Sequence, residues 1–264
     1  MAPVENSSFI VLIIKMKKLD LETREQIEID AWSNAGSRSE NAEWYTIENL
    51  ANKAADIEIF LIKIKNHAEL IHRSQTILEI GGGQGWASCV LKYLFPDKTI
   101  YASDIGEDAI KDITYWEYIY KVKIDDSFAC RSYDIPLPNE SLDLVYCYTA
   151  AHHFADIQGT IHEASRVLRE GGACLFLQEP SCRKYLYPLA YRRVIKKRPE
   201  VPEDVLVFKD IQSMGQAEGF EVEVRFDPLL LRRTPKEMMY YYVLSKIKPL
   251  QNVLPCGADY VFKK

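Results

Sequence analysis

Between residues 75 and 177 the hydrophobic pattern changes period again and again. Short apolar runs at 76–81, 99–103, 127–132, 142–148 and 173–177 predict strands. Amphipathic runs at 84–95, 107–122 and 155–169 separate them and predict helices. This alternation implies an α/β fold, a doubly wound and mostly parallel sheet with helices on both faces and right-handed crossovers. Gly171-Gly172 reads as the cap of the third helix. Further on, a helix is expected at 209–218. A strictly alternating strand follows at 220–226, and another helix at 235–248. The β-prone tail, 258–262, is expected to add an antiparallel edge strand.

The chain ahead of this alternation is different. Leu50, Ala54, Ile57, Leu61, Ile64, Ala68 and Ile71 recur at helical spacing. Asp20 to Asp30 holds five acids and one base, as a solvated helix face would, and Ala35–Ser39 reads as a loop. The expected organisation is a helical N-terminal extension and lid, 1–74, followed by a Rossmann-like domain, 75–264. An insert at about 181–205 interrupts that domain. Trp44 and Tyr45 either cap a ligand or pin the extension onto the domain. Phe9–Ile14 is too short to span a bilayer and lacks the flanks of a signal peptide. It reads as a strand or docking segment, and a cytoplasmic protein is expected.

Composition narrows the chemistry. The chain has 264 residues, 47% of them hydrophobic and 27% charged, with a net charge of −5. An acidic balance favours a small-molecule substrate over nucleic acid. None of the six cysteines forms a CxxC pair, which suggests reduced core thiols. No clustered ligands suggest a metal site.

The chemistry gathers at strand ends. The stretch Thr76–Trp86 reads strand, glycine turn, helix, and four of the twelve glycines fall within 81–85. Glycine permits positive φ and close approach of a ligand to the backbone. In an open parallel sheet, ligands bind beyond the carboxyl ends of the strands. Glu79 lies in the first such strand, and Asp104 directly follows the second. A carboxylate at Asp104 can accept from both hydroxyls of a ribose, or simply cap the next helix. A dinucleotide fingerprint needs a small third residue, and Trp86 is too bulky for it. An acid within the strand instead fits a ligand with a positive amino group, as in S-adenosyl-L-methionine.

Four linked segments carry a resemblance: ILEIGGGQG (77–85), ASD (102–104), DIPLPNESLDLVYCYTAAHHFAD (134–156) and EASRVLREGGACLFLQEP (163–180). The chain resembles the class I S-adenosylmethionine-dependent methyltransferases, with their seven-stranded sheet. It is most similar to the branch that contains the ubiquinone- and menaquinone-pathway enzymes. The resemblance implies methyl transfer from S-adenosyl-L-methionine to a small or medium organic acceptor, with S-adenosyl-L-homocysteine as product. It places Glu79, Gly81, Gly82 and Gly83 around the methionine part, Asp104 on the ribose and Ile105 on the adenine. The family often has an acid where this chain has Arg131, so Asp134, a backbone group or packing against Tyr133 would hold the adenine. Tyr148 would lie near the sulfonium. His152 is a candidate general base and Glu179 another, at the mouth of the site; His153 more naturally positions the next loop. The insert 181–198 carries seven bases and no acid, with Tyr185, Tyr187 and Tyr191 between them. It either receives an anionic group or is a solvated lid face. Alternatives are an enzyme using this cofactor for a reaction other than methyl transfer, and a binding or regulatory protein with a degenerate site. A nucleic-acid or protein methyltransferase lacks support, because Tyr148-Thr-Ala-Ala replaces the Pro-Pro motif of amino-methylating enzymes.

Overall fold

The computed structural model describes residues 21–33, 42–196 and 203–264, with side chains omitted at 21 and 42–46. Phe9–Ile14, the loop 35–39, the rings of Trp44 and Tyr45, and Lys197 and Arg198 lie outside the described residues. Helices α1 (Leu21–Ser33), α2 (Ala42–Asn66) and α3 (Ala68–Arg73) precede the sheet. The sheet strands are β1 (Thr76–Glu79), β2 (Thr99–Asp104), β3 (Asp126–Ala129), β4 (Leu142–Tyr148), β5 (Leu168–Cys182), β6 (Leu206–Val207), β7 (Glu221–Phe226) and β8 (Cys256–Lys263). Among the described residues they form one sheet in the order β3-β2-β1-β4-β5-β8-β7, with β6 paired to β5. The first five strands are parallel. The order reverses at β1, which lies between β2 and β4, so the carboxyl ends of β1, β2 and β4 converge on one crevice.

The connecting helices follow from the sequence pattern. α4 (Trp86–Leu94) buries Trp86, Ala87, Cys89, Val90 and Leu91. The expected helix 107–122 is broken at Asp112 into α5 (Glu107–Lys111) and α6 (Ile113–Tyr120). α7 (Ile157–Val167) is capped by the Asp156 carboxylate, which accepts from Gly159 N. Apolar side chains from both sheet faces fill two clusters, one under α2, α4 and α6, the other under α7 and the C-terminal strands.

Three expectations change. Gly171-Gly172 does not cap α7; that helix ends at Leu168, and the glycines lie inside β5, Gly171 with φ of 75°. The tail is antiparallel but is not an edge. β8 sits between β5 and β7, and β7 is the edge strand. The insert forms α8 (Tyr187–Ile195) and then returns through β6 to the carboxyl end of β5. α9 (Phe208–Ala217) and α10 (Pro235–Lys246) complete the fold around the C-terminal strands. All six cysteines are free thiols, five of them buried. Among the described residues, no helix is long and apolar enough to cross a membrane.

Candidate functional site

The glycine turn is built on three positive-φ positions, Gly81 (64°), Gly83 (55°) and Gly85 (71°). It is stitched to the next strand by Gly82 N donating to Ser103 O at 2.9 Å. Beneath it lies Glu79, only 2% exposed. Its carboxyl accepts from Ser88 N at 3.0 Å and from the Ser88 hydroxyl. Burial pushes this acid up to about 7, against the opposing hydrogen bonds from Ser88 and Tyr146. Glu79 therefore faces the underside of the turn and the start of α4. It is absent from the walls of the cavity described below.

Asp104 ends β2 at 6% exposure, with its carboxyl at the cavity wall. One oxygen accepts from Gly83 N and the other from Gly106 N, each at 2.8 Å. The carboxylate does not cap α5, whose N-cap is Gly106 with no side-chain cap bond; it ties the glycine turn to the loop after β2 and keeps further lone pairs. Burial raises it to about 6 in spite of those two amide bonds. Ile105 and Tyr133 line the same wall. Asp134 is exposed and does not line it. Arg131 is held by the buried Glu25 of α1, with Nε–Oε2 at 3.0 Å, and the Tyr133 hydroxyl donates to the same carboxylate. Glu25, invisible to sequence reasoning, is the acid that reaches this corner.

The aromatic group over the turn is Trp32 of α1. A Cβ on Gly83 would meet its ring at 2.9 Å, and one on Gly106 would meet it at 3.3 Å. Its position at the end of an acid-rich helix offered no periodicity signal.

Across the cavity, β4 ends at Tyr148. Burial holds its phenol far up; the hydroxyl donates to Asp56 O at 3.4 Å, and the ring packs edge-on against Phe60 and Trp86. Thr149 (φ 48°) and Gln178 (φ 63°) follow β4 and lie within β5, at positions rarely left-handed outside glycine. Thr149 N donates to Leu177 O at 2.9 Å, so the two sit side by side, and both line the cavity. A short 3₁₀ turn at Ala151–His153 follows.

Glu179 is not at the mouth of the site. It is fully buried behind that turn. Its Oε1 accepts from Ala150 N at 2.9 Å and Ala151 N at 3.0 Å, and its Oε2 lies 2.7 Å from His152 Nδ1. His152 itself lines the cavity. His153 Nδ1 lies 3.0 Å from Glu28 of α1. Burial pulls His153 down, but Glu28, with Glu203 and Glu179, outweighs it and the net shift is upward.

These walls enclose about 950 Å³, ample for a nucleoside and a second molecule. α1 and α2 supply one side, and the loop before α10 supplies Leu231, Arg232 and Arg233. Of the described part of the insert, 181–196 and 203–205, Glu203 alone lines it. Three of the insert's bases are engaged elsewhere: Arg183 on Asn252 O, Lys184 on Asp210, Arg193 on Glu237. Tyr187 stacks on Tyr191 and donates to Asp204. The cavity cations come instead from Arg24, Lys53, Arg131, Arg232 and Arg233.

An open parallel sheet with a glycine turn at its switch point and an acid ending the next strand defines a nucleoside-cofactor domain of the doubly wound class. Residues 78–176 match the family model described as "Methyltransferase domain". The matched residues hold the glycine turn, Asp104 and Tyr148, and over them the chain is similar to a methyltransferase domain. Among its relatives is the uncharacterized methyltransferase YcgJ of Bacillus subtilis, 28% identical over 152 residues. That match covers 53% of this chain and 52% of YcgJ. The chain thus spans about half the length of this curated relative. Solved structures share the fold. A geranyl diphosphate methyltransferase in complex with GPP and sinefungin superposes with a TM-score of 0.57 at 14% identity, over 72% of this chain and 70% of its own. Phosphoethanolamine N-methyltransferase 2 of Haemonchus contortus, in complex with S-adenosyl-L-methionine, gives 0.50 at 15% identity, over 72% and 48%.

Proposed function

We propose that the protein moves a methyl group from S-adenosyl-L-methionine to a small or medium organic acceptor in this cavity, at an oxygen or nitrogen whose proton His152 takes. The observation that carries the reading is the 2.7 Å contact between His152 Nδ1 and Glu179. Glu179 already accepts three backbone N–H bonds, the one from His152 N on the same Oε2, so it meets the ring as an acceptor. Nδ1 must then donate, which leaves the Nε2 lone pair as the ring's free acceptor. Glu179 is a positioning residue, and His152 is the base.

The cofactor supplies an electrophilic methyl on a sulfonium and leaves as a neutral thioether. What remains for the protein is alignment, exclusion of water and removal of the acceptor's proton. Asp104 would accept from the ribose hydroxyls, with Ile105 and Tyr133 flanking the base. Gly81 would give backbone access to the methionine part; Gly82 and Gly83, which do not line the cavity, would shape that turn, and Glu79 would hold it from below. Tyr148, its hydroxyl donating to Asp56 O, would close the wall beside the methyl. We assign α1 and α2 as the lid of an N-terminal extension, with Trp32 as its inner face.

The test is a pair of substitutions, assayed with radiolabelled methyl donor against a library of small hydroxyl and amine acceptors. In Glu179→Gln the new carbonyl can still accept from Ala150 and Ala151. Its amide then donates to Nδ1 and forces the ring proton onto Nε2, pointing a donor at the acceptor. Transfer should fall by about 10²–10⁴-fold, the range for general-base catalysis, with cofactor affinity unchanged. His152→Asn should do the same. Full rates in both variants would refute the role.

A further inference from the structure

Among the described arginines of the cavity, Arg233 alone has neither an acidic partner nor a terminal NH₂ group donating to the protein. Arg131 is paired with Glu25, and Arg232 with Asp56 and Asn52. Arg24 donates to Ala155 O, and Lys53 lies over the Trp86 ring. Arg233 is different. Its Nε donates to Leu229 O at 3.3 Å, and its guanidinium lies 3.8 Å from the centroid of the Tyr241 ring. No acidic side chain pairs with it among the described residues. Its two terminal NH₂ groups, the half of a guanidinium that grips an oxyanion in two-point fashion, have no protein acceptor there.

Its surroundings fix the geometry. Thr234 caps α10 through a complete capping box with Glu237, which anchors the residue next to Arg233. Tyr241 sits two turns along the same helix and lines the cavity, so the guanidinium plane is set from below by a ring. Gly257 faces it from β8, in register with Pro180, one residue beyond Glu179. Gln178 lines the same end, with its carboxamide Oε1 buried and unpartnered. That oxygen accepts, so it favours a ligand bearing a donor close to its anionic group. A stacked, half-buried arginine with a free fork, lining the same cavity as His152, is a receptor for an anion.

We propose that Arg233 binds an anionic group of the acceptor, a carboxylate or phosphate, and so orients the acceptor with its nucleophile towards His152. This inference rests on the function proposed above and names the substrate class of that site. It sets the anion receptor on the Leu229–Thr234 loop, whereas the bases of 181–198 left an anion site and a solvated lid face both open.

The experiment uses the full chain loaded with S-adenosyl-L-homocysteine, whose own affinity is measured first and reports on the cofactor site separately. Three probes of similar shape are then titrated by calorimetry: phenylacetate, phenyl phosphate and phenylacetamide. At least one anionic probe should bind tenfold or more tightly than the neutral amide. A stronger response to phenyl phosphate would mark a phosphate acceptor, and to phenylacetate a carboxylate one. Arg233→Met should abolish the preference and leave the homocysteine affinity within twofold. Arg233→Lys should restore part of it, because the charge returns without the fork. An amide that binds as well as the anions, or a preference that survives Arg233→Met, would overturn the assignment. Homocysteine binding with no anion preference would reject this subsite and leave the base and cofactor assignments standing. Methyl transfer lost in Glu179→Gln while the anion preference persists would support both.

Discussion

Replacing Asp104 by Asn separates what this carboxylate does for binding from what it costs the fold. Its two oxygens accept from Gly83 N and Gly106 N, both at 2.8 Å. An asparagine oxygen can keep one of these bonds, but its NH₂ then faces the other N–H and satisfies nothing. The unmade bond costs about 1–3 kcal/mol. Against this stands the burial of the native charge. Burial raises Asp104 from 3.8 to about 6, and at 1.36 kcal/mol per pH unit that is roughly 3 kcal/mol of stability forgone once the group ionises. The sign follows from proton counts. Between about pH 4 and 6 the folded chain holds a proton that the unfolded chain has lost, so stability falls as pH rises through this window. Asn has no such dependence. Relative to wild type, which is itself protonated at pH 4, Asp104→Asn should therefore lose at most about 1–3 kcal/mol at pH 4 and be level to about 2 kcal/mol more stable at pH 7.5. Binding should behave differently. Loss of charge-assisted bonds to the ribose should weaken S-adenosyl-L-methionine by about 1.5–3 kcal/mol at pH 7.5, or roughly 10- to 150-fold. Urea titrations at the two pH values and calorimetry with the cofactor measure both. A stable variant with affinity within twofold of wild type would refute the ribose assignment. A stability difference that is flat with pH would refute the buried charge.

Further outcomes follow from neighbouring features. Wild-type affinity for the cofactor should rise as pH increases through about 6, since binding to a hydroxyl pair favours ionised Asp104; proton release in calorimetry with buffers of different ionisation enthalpy checks this. Gly85→Ala meets both a φ of 71° and Ile113 at 2.5 Å, and should lose about 2–4 kcal/mol from combined strain and overpacking. Gly171→Ala, with φ of 75° and open space around it, should lose only about 1–2 kcal/mol, and denaturant midpoints compare the two. Lys63→Met leaves the buried Asp259 carboxylate without its 2.8 Å partner and should cost about 3–5 kcal/mol. Trp32 lies against the glycine turn, so cofactor titration should change its fluorescence, and Trp32→Phe should remove most of that change.

The sheet was legible because apolar runs and glycine turns impose their own period, and Leu142–Tyr148 matches its expected bounds residue for residue. Gly171-Gly172 misled because a double glycine suits a helix end and a twisted strand equally. The position of β8 depends on pairing with residues far away in sequence, which no local pattern encodes. At the site, the strand-end rule located Asp104 and the 148–153 turn. It could not say which way side chains point, so Glu79 and Glu179 were placed on the cavity when each is buried behind it. The insert misled through charge alone: its ion partners, Asp210 and Glu237, are distant in sequence. Trp32, Glu25 and Arg233 reach the cavity from helix ends and loops, where no periodicity announces them.

The inner position of β8 has a consequence for synthesis. Ribosomes deliver β1 to β5 long before residues 256–263. Until those emerge, the growing sheet ends at β5, whose Ala173–Leu177 stretch is wholly apolar and buried in the finished fold. For that interval an unpaired apolar strand edge faces the cell, the kind of surface that recruits chaperones or seeds aggregation. Its closure waits for β8, and Glu179, in register with Ala258, waits with it.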